Sequence, residues 1–158
     1  MSFTSQESHS AFPRPVSSQL DSARGYAEPI FEYLENRAAL LRAIHLEELL
    51  RELPLLRIQF AGLVSPRFPL LGPQLKLLSE FFEDSANGVF AGVSSTVRRE
   101  VALTLRYVAK NTDAVGVRET GHADDSHIVR AVLRRHQEVF REYCAFRKMS
   151  WSKIAGTP

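Results

Sequence analysis

Apolar side chains recur at spacings of three and four through most of this chain, and the longest such run lies near its end. From Asp124 to Met149, the residues Ile128, Val129, Val132, Val139, Phe140, Tyr143 and Phe146 form one stripe of a helix. Asp124 or Asp125 suits its first turn, because a short carboxylate accepts hydrogen bonds from the free amides there and complements the positive end of the dipole. This helix is expected to organise the fold. Upstream, Pro29 suits the first turn of a helix that continues to Leu53, where Pro54 forbids ordinary continuation. Within it Ile30, Leu34, Ala38, Leu41 and Ile44 point one way, whereas Leu46, Leu49, Leu50 and Leu53 lie well round the helix. The stripe therefore changes face near His45. Either the helix bends or breaks there, or its two halves pack against different neighbours.

Residues 55–64 fit a short helix or a buried extended segment equally well. Pro66, Pro69, Gly72 and Pro73 then impose a turn-rich connection. A helix from Gln74 to Glu83 follows, with Leu75, Leu78, Phe81 and Phe82 inward, stopped by the stretch from Asp84 to Gly88. Ser94 or Ser95 caps the next, which runs to about Lys110 with Val97, Val101, Leu105 and Val108 on one face. Residues 111–123 read as a polar loop, and a short helix fits Ser18 to Tyr26. Strand signals at residues 89–93 and 114–117 are too short and isolated to build a sheet. The expected fold is all-α: a compact bundle of about five helices over residues 18–149, with a flexible N-terminal tail (1–17) and a C-terminal tail (150–158).

Composition narrows the function classes. Of the 158 residues 44% are apolar and 24% charged, which is ordinary for a single globular domain. The net charge of +2 is unevenly spread: residues 1–93 hold 8 basic and 11 acidic side chains, residues 94–158 hold 12 and 7. The C-terminal half is mildly basic, far short of the dense basic surface of a dedicated nucleic-acid binder. The single cysteine, Cys144, excludes an internal disulfide and any paired-cysteine metal or redox motif. No apolar run approaches the ~18 residues of a membrane span. The first residues lack the apolar core of a secretory signal, so a cytoplasmic location is expected.

Candidate chemistry is sparse. The densest polar cluster is His122, Asp124, Asp125 and His127, whose nitrogen and oxygen atoms suit zinc, iron or manganese, with His45 and Glu48 as distant partners. The plainer account is a loop, an Asp cap and two solvated histidines. Paired Glu-x-x-His motifs, which a di-iron bundle needs, are absent. His136 lies in an apolar stripe, where a core histidine with one hydrogen-bond partner is commoner than a heme ligand. Cys144 fits a small buried hydrophobe, since no base is marked out beside it. Arg130, Arg134 and Arg141 share one helix face and suit phosphate contacts, although Glu138 and Glu142 interrupt the basic residues nearby. Phe12-Pro13-Arg14-Pro15 has the makings of a docking peptide, or of an ordinary tail.

Gly-rich phosphate loops, nucleophile elbows and paired-carboxylate patterns are missing, which weighs against an enzyme. The expectation is a helical protein–protein interaction module: an adaptor, regulatory subunit or chaperone-like binder that self-associates or binds a partner helix, without a cofactor. Its interface would use Leu46, Leu49, Leu50 and Leu53, or Trp151, although the same leucines also suit a core. The alternatives are a metal-binding helical protein acting through the His122–His127 cluster, and a weakly basic nucleic-acid-binding regulator acting through Arg130, Arg134 and Arg141.

Overall fold

The computed structural model describes residues 27–113 and 119–156. The N-terminal tail, the Ser18–Tyr26 segment and residues 114–117 lie outside the described residues. Within them the chain is all-helical, as expected, with seven helices and no strand: α1 (Ala27–Ala38), α2 (Ala43–Ala61), α3 (Leu71–Ala86), α4 (Ser95–Asp113), α5 (Glu119–Arg135), α6 (Gln137–Phe146) and α7 (Trp151–Ala155).

The expected change of face near His45 takes the form of a break. Ile30, Leu34, Ala38 and Leu41 are buried together, and α1 then unwinds through tight i−3 bonds at Leu40 and Leu41. Arg42 is extended (φ −104°, ψ 170°), and its backbone N–H donates to His45 Nδ1 at 2.9 Å. His45 thereby serves the start of α2. Ile44, expected with the first stripe, is exposed.

Pro54 does not end the helix. It sits inside α2, exposed, while Leu49, Leu53, Leu56 and Phe60 keep one buried phase on either side of it. A proline in a helix interior costs about 3 kcal/mol, whereas burying each of four large apolar side chains contributes about 1.5–3 kcal/mol. Burial wins, and residues 55–61 are helix rather than a separate segment.

Helix α3 starts three residues earlier than its periodicity predicts, because Pro73 falls in the first turn, where amide protons have no intrahelical partner. It also runs past Asp84 to Ala86 and stops at Asn87 and Gly88, the latter at φ +80°. The centre of the bundle is α4. It packs against α1, α2, α3 and α5, and from Glu100 to Leu105 every residue is buried. A helix buried all round belongs in the middle. The organising role expected of the Asp124–Met149 stretch therefore falls to α4.

That stretch is itself two helices. α5 begins at Glu119, so Asp124 and Asp125 lie in its second turn rather than at its N-cap; Asp125 is buried. The helix breaks at His136 (φ −120°, ψ 40°). The cause is polar: His136 Nε2 lies 2.7 Å from Glu100 Oε1, and Arg135 Nε lies 3.1 Å from the same oxygen. The chain turns there to bring both side chains onto α4. At the end of α6, Met149 N–H bonds Cys144 O and Lys148 N–H bonds Ala145 O, a left-handed cap with Lys148 at φ +60° in place of the usual glycine. Ser150 caps α7, which lies on α3 and α6.

Candidate functional site

Between α2 and α3 the turn-rich connection encloses a groove of about 930 Å³. Phe60 from α2, Leu63 and Phe68 from the connection, and Gly72 and Ser79 from α3 help to line it. Its shape follows from local chemistry. Pro66 and Pro69 cannot continue a helix, and successive i−3 bonds at Leu63, Phe68 and Leu71 fold the connection back over α3. The volume falls in the range of concave sites that proteins use for ligands or inserted side chains.

The rim is charged but internally neutral. Arg57 pairs with Glu83, Lys76 Nζ lies 4.0 Å from Glu80, and Arg147 Nε lies 3.4 Å from Asp84 Oδ2. Pairs this exposed contribute little to stability; their effect is to leave the rim with no charge seeking a partner. Asp84 also accepts a 2.6 Å hydrogen bond from Tyr143 O–H. Burial, and then this bond, push the Tyr143 phenol well above the ordinary tyrosine range, so it stays a neutral donor. The Tyr143 ring meets Phe81 edge-on and Phe140 meets it tilted, with centroids 5.3 and 4.8 Å from Phe81.

Large apolar side chains of α2 and of the connection after it are uncovered. Leu55, Ile58 and Val64 are 64%, 70% and 79% exposed. Ile58 stands two residues from both Leu56 and Phe60, about 200° round the helix from each, and so points away from the core. These residues escape a sequence reading that ends the helix at Pro54. Once the helix is carried through the proline, its phase places Ile58 on the outer face.

Comparison with known protein families, with curated proteins and with solved structures finds no match.

The structure distributes the sequence-derived candidates unevenly. Of the expected interface leucines, Leu49 and Leu53 are core, and Leu46 and Leu50 pack half-buried against it. The exposed Leu55 and Ile58 lie further along α2, and Val64 lies just beyond its end. His122, Asp124, Asp125 and His127 sit on successive turns of α5, and among the described residues no group of three or more His, Cys, Asp or Glu side chains is placed to hold a metal. His45, their proposed distant partner, is committed to the start of α2. His136 is a half-buried histidine bonded to Glu100, and Cys144 is buried with its thiol pKa raised by desolvation. Arg130, Arg134 and Arg141 do come together: they line a second, smaller groove of about 340 Å³ with Trp151. Among the described residues no helix is long and apolar enough to cross a membrane.

Proposed function

We propose that this protein is a helical protein–protein interaction module that pairs with a second copy of itself, the exposed apolar edge of α2 in one copy entering the α2–α3 groove of the other. The observation that carries this reading is the groove of about 930 Å³, to which α2 contributes Arg57, Phe60 and Ala61, together with the exposed Leu55 and Ile58 on the same helix. A knob and a hole side by side on one surface are self-complementary about a twofold axis, the commonest symmetry of soluble assemblies. The paired rim charges favour an apolar occupant over a charged one, and exposed apolar side chains such as Leu55 and Ile58, three residues apart on one helix, are the kind of surface that marks interaction sites. A cytoplasmic setting fits the one cysteine, kept as a free thiol.

Ile58→Glu tests this directly. It places a charge on the outer face of α2, where the fold has nothing to lose, and should convert a two-chain particle into single chains with unchanged helical content. Leu50→Glu is the contrasting variant: its side chain packs against the core, so it should destabilise the fold itself. Retention of the two-chain particle by folded Ile58→Glu would exclude the α2 edge as the contact.

A further inference from the structure

The second groove shares no lining residue with the α2–α3 groove and has a different chemistry. Arg130 and Arg134 stand one turn apart on α5. The break at His136 lets Arg141 of α6 face the same space, and α7 closes it with Trp151. Glu138 and Glu142, which interrupt the basic residues in the sequence, are not among its lining residues. Among the described residues no carboxylate forms an ion pair with Arg130, Arg134 or Arg141. Three cationic side chains lining one groove without a paired carboxylate favour an anion there.

A second, independent feature points to a ligand. Gln74, only 2% exposed, lines this groove from α3. Its Nε2 donates to Ile154 O at 3.1 Å and so fixes α7, but its buried Oε1 accepts no hydrogen bond. Leaving a buried carbonyl oxygen unpaired is unfavourable, and native interiors rarely do so without a reason. The groove thus offers cationic donors and an indole surface, with one unpaired acceptor buried in its wall, within a space of single-ligand size.

We propose that this groove binds a phosphate ester carrying a flat ring with N–H donors, the class of the nucleoside monophosphates. The phosphate pairs with the Arg130, Arg134 and Arg141 guanidiniums, which present forked N–H donors suited to phosphate oxygens. The ring lies against Trp151 and donates to Gln74 Oε1.

Trp151 is the only tryptophan in the chain, so its fluorescence reports on this groove alone. Adenosine 5′-monophosphate titrated into the full chain should change that fluorescence saturably, with inorganic phosphate and adenosine each binding at least tenfold more weakly. Arg130→Gln and Arg134→Gln, at exposed positions where circular dichroism should show an unchanged fold, are each expected to weaken binding roughly tenfold to a hundredfold, the effect of losing a charge-assisted hydrogen bond. Three results overturn the proposal. The first is no response to adenosine or uridine monophosphate. The second is phosphate binding as tightly as the nucleotide, which means an adventitious ion only. The third is binding confined to single-stranded oligonucleotides with a steep salt dependence, which makes the surface a polymer interface.

Discussion

Replacing His136 with alanine should unfold the protein more easily than its partial exposure suggests, because the residue compensates a carboxyl group sealed inside the bundle. Glu100 is 0% exposed in the middle of α4. One oxygen, Oε1, lies 2.7 Å from His136 Nε2 and 3.1 Å from Arg135 Nε, and the other accepts no hydrogen bond. Removing one partner of a buried ion pair typically costs about 3–5 kcal/mol. Arg135 remains in place here, stacked over Phe31 at 5.5 Å, so the loss is closer to that of one hydrogen bond to a charged group. We expect His136→Ala to lower the unfolding free energy by about 2–3 kcal/mol. The assay is urea denaturation followed by circular dichroism, with the slope against urea unchanged. Glu100→Leu combined with His136→Phe should recover most of the loss, since the buried carboxylate and its desolvation penalty are gone while Arg135 keeps Glu35 at 3.9 Å. A loss below about 1 kcal/mol for His136→Ala, or a double variant no more stable than the single, would refute the idea that this contact compensates Glu100 and sets the helix break.

Other consequences follow from single residues. Leu49→Ala should cost about 2–5 kcal/mol in the same assay, because Leu49 is wholly enclosed; a loss within about 0.5 kcal/mol, typical of surface positions, would return it to an interface role. Cys144, 1% exposed and with its pKa raised by burial, should react with a thiol reagent only as the protein unfolds; rapid labelling of the native chain would contradict its placement. Lys148→Gly should raise stability by about 1 kcal/mol, since glycine adopts a positive φ without the Cβ penalty; an unchanged or lower urea midpoint would contradict the left-handed cap at the end of α6.

What was legible in the sequence was whatever the local pattern decides. The spacing of Val97, Val101, Leu105 and Val108 located α4, and that of Leu75, Leu78, Phe81 and Phe82 located α3. The change of stripe near His45 located a true break. The misjudged elements are those in which a tertiary partner overrules a local rule. Pro54 sits inside α2 because four buried side chains hold the helix on either side of it. The helix expected over Asp124–Met149 breaks because Glu100, 36 residues away in the chain, attracts His136. Neither effect has a local signature. The site was legible to a similar degree. The arginines that share a helical face do share a groove, but the buried Oε1 of Gln74 and the closure by α7 depend on packing. Of the leucines considered for an interface, Leu49 and Leu53 are core and Leu46 and Leu50 pack against it, a division that helical spacing alone does not decide.

The account rests most heavily on the α2–α3 groove being covered by a second copy of the chain. The most direct test is the mass of the native particle by sedimentation equilibrium across a wide concentration range. The expected result is a reversible approach to twice the chain mass of 17.8 kDa. A folded particle that stays at the mass of one chain up to the highest concentration would contradict self-pairing through this groove.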